Sequence, residues 1–149
     1  MFSSTRNIVL KRRIIGQDAL RQLAAAHRRF AAARRDGRRV IMQNCVLADL
    51  DFQGMCFAQA HFLGCRFTGS RLTDTDFSRA RLFASSFERA DLTRANFTRA
   101  DLRAVAFDKA VLTQTCFDQA DLRMSCIISG GEGENEELSV REIRSSFRN

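Results

Sequence analysis

Ala90-Asp91-Leu92-Thr93-Arg94-Ala95-Asn96-Phe97-Thr98-Arg99-Ala100-Asp101-Leu102-Arg103-Ala104 spells one pattern three times: a small residue, an acid or amide, a large apolar residue, then two variable ones. Followed in both directions, the large position recurs every fifth residue from Met42 to Ile127, and all eighteen of its members are apolar. Two residues ahead of it runs a second column, in which fourteen of eighteen residues are Ala, Ser, Thr or Cys. A period of five fits neither the 3.6 of a helix nor the 2 of a flat strand, so no single standard element puts every large residue on one face. The chain must turn a corner at each repeat.

Grouping the large residues by twenty sorts them by type. Phe57, Phe77, Phe97 and Phe117 form one set, and Phe67, Phe87, Phe107 and Ile127 another. The remaining sets are Phe52, Leu72, Leu92, Leu112 and Phe62, Leu82, Leu102, Leu122. Segregation of Phe from Leu is what coils of four repeats produce when they stack in register about 4.8 Å apart. An amphipathic helical domain does not explain it.

Residues 41–128 therefore resemble the pentapeptide-repeat family, whose motif Ala90-Asp91-Leu92-Thr93-Arg94 and Ala100-Asp101-Leu102-Arg103-Ala104 match closely. The resemblance implies an all-β solenoid, a right-handed quadrilateral β-helix, here of about four coils. It also implies that the large and the small residue of each repeat point inward. The early repeats depart from the motif: Leu50 and Met55 hold small-residue positions, and His61, Arg66 and Arg71 replace the acid or amide.

The flanks differ from this body in charge. Residues 1–40 carry a net +9, residues 41–128 are neutral and residues 129–149 carry −2, within an overall +7. A basic N-terminal arm over 1–16 leads into an expected amphipathic helix over 17–36, with Leu20, Leu23, Ala24, His27, Phe30 and Ala31 at helical spacing and Gly37 as its stop. A solenoid leaves an apolar end open unless something covers it, so this helix is expected as an N-terminal α-helical cap, with Leu20, Leu23 and Phe30 near Val40, Met42 and Leu47. Its other side carries Arg21, Arg28 and Arg35, a cationic face that nucleic acid, an acidic protein or an anionic membrane surface would suit. Residues 129–149 read as an acidic linker followed by a short helix or tail, with Ser139 and Glu142 as a capping box ahead of Val140, Ile143 and Phe147.

The sequence offers little chemistry. Only His27 and His61 titrate near neutrality, and no phosphate loop, nucleophile elbow or zinc-protease helix is present. Cys56, His61 and Cys65 have superficial metal-ligand spacing, but the repeat sends Cys56 and His61 outward on adjacent faces and Cys65 inward. No enzyme, cofactor or metal site is expected. Cys45, Cys56, Cys65, Cys116 and Cys126 form an odd set without a CxxC pair, which fits reduced thiols. No stretch approaches the roughly 18 apolar residues of a membrane span, and no secretory signal opens the chain, so the expected compartment is cytoplasmic.

A binding or scaffold role follows, with a protein as the first candidate partner. The position after each large residue points outward and is normally polar, yet along one face it holds Leu63 and Phe83, beside His61 and Arg81 in the neighbouring outward column. These four residues are the expected partner-binding or self-association patch, unless the N-terminal segment folds back over them. Nucleic-acid binding through the basic N-terminus and a homodimer are the alternatives. The family resemblance adds a further one, DNA mimicry toward gyrase or topoisomerase, but mimicry requires a strongly negative surface and this body is neutral.

Overall fold

The computed structural model describes residues 6–125. In it the chain runs β1 (Asn7–Lys11), α1 (Gln17–Ala31), β2 (Arg39–Gln43) and β3 (His61–Leu63), followed by repeats that pair through single bridges. The expected linker and C-terminal helix, with Cys126 and Ile127, lie outside the described residues.

From Val46 to Asp121 the bridges join residues twenty apart, all in parallel, along four ladders. One runs through Val46, Arg66, Ser86 and Ala106 and another through Asp51, Arg71, Asp91 and Val111. The third runs through Cys56, Asp76, Asn96 and Cys116, and the fourth through His61, Arg81, Asp101 and Asp121. Each rung is closed by a pair of bonds such as Phe57 N–H to Asp76 O at 2.7 Å and Asp76 N–H to Met55 O at 3.0 Å. Parallel ladders on four sides of one winding chain make a β-helix.

The corners explain the period. In most repeats a turn is closed by a bond such as Ala80 N–H to Phe77 O at 3.0 Å, while the Leu50 and Cys65 N–H groups donate instead to Ser70 and Ser85 Oγ, and the corner residue takes a left-handed conformation. Arg79, Arg89, Arg94 and Arg99 do so at φ of 57, 55, 56 and 58°. The acid or amide ahead of the large residue folds over the same turn: Asp91 Oδ1 accepts the Thr93 N–H at 3.0 Å, and Asn96 Oδ1 accepts the Thr98 N–H at 3.0 Å.

Inside, the Phe columns stack. Phe97 lies between Phe77 and Phe117 with ring centroids 5.3 and 5.5 Å away and planes within 6 and 8° of parallel. Phe87 and Phe107 meet the same ring edge-on from the opposite wall. Phe97 and Ala95 are fully buried and Ala100 nearly so. Hydroxyls in the small column satisfy backbone carbonyls of the preceding coil: Ser70 Oγ donates to Leu47 O and Ser85 Oγ to Phe62 O, both at 2.6 Å.

The N-terminal segment is built into this body. The basic arm expected over 1–16 is, over its described part, a strand of the body: β1 pairs with β2 in register from Asn7↔Arg39 to Lys11↔Gln43, and Ile14 bridges Val46. Around the next corner the Gln17 side chain imitates a rung, accepting the Asp51 N–H and donating to Asp51 O, each at 2.8 Å. On the remaining side α1 replaces the strand. Leu20 is fully buried and joins the core with Leu23, and Phe30 is half-buried beneath the Arg39 guanidinium.

Helix α1 ends at Ala31, short of the expected 36. Ala32 N–H bonds Arg28 O, Ala33 N–H bonds Phe30 O, and Ala33 turns left-handed at φ 57°. Such a residue ends a helix by satisfying its last carbonyls.

Candidate interaction surface

The β2–β3 pairing places Ile41 beside His61 and Gln43 beside Leu63, and the ladder continues from His61 to Arg81 and Asp101. His61, Leu63, Arg81 and Phe83 therefore share one face, as two outward columns with Phe83 one coil beyond Leu63. Leu63 is half-buried between its neighbours, whereas Phe83 is 45% exposed. No described segment folds over the pair, because the N-terminal residues stack on the end of the ladder instead.

Phe83 is held from one side. Asp101 fixes Arg103 through two bonds of 2.8 Å, and the Arg103 guanidinium lies 5.6 Å from the Phe83 ring centroid. Asp101–Arg103 and Asp121–Arg123 are pairs within one repeat rather than between coils. Among these four residues the contact from coil to coil is Arg103 to Asp121, at 3.9 Å. These exposed pairs contribute little stability but set the Arg103 orientation.

His61 adds a neutral polar group to the face. Burial lowers its pKa below the ordinary 6.5, with the Arg39 and Arg81 charges pushing the same way. Arg81 is exposed, and no acid pairs with it among the described residues. The surface is thus an apolar step, Leu63 to Phe83, flanked by a neutral imidazole and a cation.

The expected cationic face is divided. Arg21 and Arg28 lie on α1, where they border a shallow groove with Ala24, Ala25, Gly54, Met55 and Cys56. Arg21 pairs with Asp18 at 3.2 Å. Arg35 falls in the loop after α1, because the helix stops four residues earlier. Among the described residues no cluster of His, Cys, Asp and Glu suits a metal ion, and no helix is long and apolar enough to cross a membrane.

Sequence reading missed the double role of His27. Its Nδ1 accepts the Val40 N–H at 3.0 Å, so the proton sits on Nε2, which donates to Ala58 O at 2.8 Å. A lone His on the apolar side of a helix carried no signal for this.

Residues 40–112 match the family model described as the pentapeptide repeat region. Comparison with curated proteins gives no match. Among solved structures the chain is similar to a pentapeptide repeat protein involved in heterocyst differentiation regulation in Nostoc sp. strain PCC 7120. Identity is 20%, coverage is 63% of this chain and 52% of that one, and the TM-score is 0.33. The match thus spans about half the length of the Nostoc protein. A pentapeptide repeat protein of the Arabidopsis thaliana thylakoid lumen is 20% identical over 68% of this chain and 70% of its own, with a TM-score of 0.41. One from the cyanobacterium Cyanothece 51142 is 16% identical over 80% of this chain and 81% of its own, with a TM-score of 0.32.

Proposed function

The chain belongs to the pentapeptide-repeat family, and from that premise we propose that it is a non-catalytic binding or scaffold protein whose rigid β-helical face engages a protein partner. The observation that carries this reading is Phe83, a large aromatic 45% exposed on a face that is polar further along. Phe83 is the anchor, Leu63 extends the apolar contact, and Arg81 and His61 supply polar recognition at its margin.

The rest of the molecule serves that face by holding it rigid. About four coils of twenty residues form the rod, and α1 is the lid on its first coil. The buried Leu20 and the His27 bonds to Val40 and Ala58 support that role. Unpaired Cys45, Cys56, Cys65 and Cys116 are in keeping with a reducing, cytoplasmic setting.

The test is capture of partners from the source cell by the immobilised full chain and by Leu63→Ser/Phe83→Ser. The double variant is expected to keep the far-UV spectrum and melting of the parent and to lose the captured protein. Unchanged capture by the variant rules the face out. The second reading, nucleic-acid binding through Arg21, Arg28 and Arg35, draws on the groove bordered by Arg21 and Arg28. It requires an affinity for DNA or RNA that falls steeply with salt.

A further inference from the structure

β1 is the outermost strand of the sheet β1-β2-β3, and its far edge pairs with nothing among the described residues. The bonds Arg12 N–H to Gln43 O and Arg39 N–H to Arg6 O turn the backbone groups of the even-numbered residues toward β2. In a parallel ladder the alternate residues face the other way, so the N–H and C=O groups of Asn7, Val9 and Lys11 point out along the rod axis. Helix α1 does not shield them, since it lies against β2 and not against β1.

The edge is apolar at its centre and basic at its rim. Val9 is 51% exposed, and Ile8 and Leu10, which pack against the core, are only half-buried. Arg6, Lys11, Arg12 and Arg13 surround it, all exposed, and no acid pairs with any of them among the described residues. Open, straight edges of this kind are normally blocked or used.

We infer that the β1 edge is a strand-addition site for an extended acidic segment of a partner protein. A polypeptide strand supplies the N–H and C=O row that the edge lacks, and its alternate apolar side chains cover Ile8 and Leu10. Its carboxylates meet the four rim cations. A nucleic acid would use those cations but would leave the backbone edge and the apolar residues unanswered. A second copy aligned through its own β1 would bring like charges together. The site is the open end of the ladder whose side carries Leu63 and Phe83, but it uses the outer backbone edge of β1 and not those side chains, so either assignment can fail without the other.

The experiment titrates the full chain into a fluorescently labelled peptide of alternating Glu and Val, read by anisotropy, with amide hydrogen exchange of the protein measured in parallel. The peptide is expected to bind, to weaken with salt, and to protect the Val9 and Lys11 amides on binding. N-methylation at alternate peptide residues, the Arg12→Glu/Arg13→Glu variant and Val9→Pro are each expected to weaken binding about tenfold or more. Val9→Pro removes only an outward N–H of an edge strand, a position at which proline is tolerated. Its retained fold is checked by melting, and the exchange measurement on the unaltered protein decides the matter if the variant unfolds. Equal binding of the N-methylated peptide, or unchanged Val9 exchange at saturation, overturns the proposal. So does saturable binding of single-stranded DNA without binding of the peptide, or preferential binding of a peptide copied from residues 130–149.

Discussion

The Val40 backbone N–H donates to His27 Nδ1 at 3.0 Å, tying helix α1 to the first residue of the repeat column, while Nε2 of the same ring donates to Ala58 O at 2.8 Å. The ring also stacks on Phe57 with centroids 5.6 Å apart. One fully buried imidazole thus answers two backbone groups that the missing fourth strand of this coil would otherwise have met.

The Val40 bond requires the neutral ring, because a protonated Nδ1 cannot accept it, and burial lowers the His27 pKa below 6.5, reinforced by Arg39 and opposed by the bond to Ala58, which the charged ring also makes. The unfolded chain then takes up a proton at a pH where the folded one does not. Stability from this site is complete above about pH 6.5 and declines as pH falls below it. His61, lowered chiefly by burial, acts in the same direction. The melting temperature is expected to fall between about pH 7.5 and 5, and less so in His27→Gln/His61→Asn. A flat profile in the unaltered protein contradicts the assignment. His27→Ala, which strands both backbone groups, is expected to cost about 2–4 kcal/mol at neutral pH.

The register of the stack leaves Phe97 unable to shrink without opening a cavity. It is fully buried between parallel rings and closed edge-on by two more. Phe97→Ala is expected to cost about 3–5 kcal/mol, measured by denaturant unfolding. A loss below about 1 kcal/mol is incompatible with this packing.

The repeats were legible because each repeat restates the same constraint, an inward large residue and an inward small one, so a single misfit such as Met55 does not blur the pattern. The edge of the first coil was not. β1 is only five residues long, and its Ile8, Val9 and Leu10 read as an apolar run without alternation. Its partner strand lies across an intervening helix, and the pairing offset of 32, from Asn7 to Arg39, is not a multiple of the repeat. The Leu63–Phe83 step was visible because it breaks the polar rule of its column. The clamp on Phe83 was not, since Arg103 over an aromatic ring depends on where Asp101 holds the guanidinium.

Thiol reactivity should separate the inward from the outward cysteines. Burial pushes the Cys65 thiol up to about 12, so almost no thiolate exists at neutral pH, and the side chain is sealed inside the column it shares with Cys45. Cys56 and Cys116 are half-buried on an outer ladder. Alkylation at about pH 8 followed by peptide mapping is expected to label Cys56 and Cys116 first and Cys65 only after denaturation. Early labelling of Cys65 counts against its placement.

Two glycines should respond differently to the same small change. A Cβ at Gly37 would run into the backbone of Phe30 and Arg29, at the point where Arg38 N–H bonds Ala26 O and the chain leaves the helix for β2. Backbone cannot step aside as a side chain can, so Gly37→Ala must lift the loop from α1 and disturb the alignment of His27 with Val40. A Cβ at Gly54 meets open space, and its only obstacle is a left-handed φ of 68°, a conformation that sixteen of the described non-glycine residues also adopt. Gly54→Ala is expected to cost about 1–2 kcal/mol, and Gly37→Ala more than that. Faster amide exchange confined to α1 should accompany the Gly37 change and be absent from the Gly54 one. Equal losses in the two variants would mean that the close approach at the helix end does not hold α1 in place.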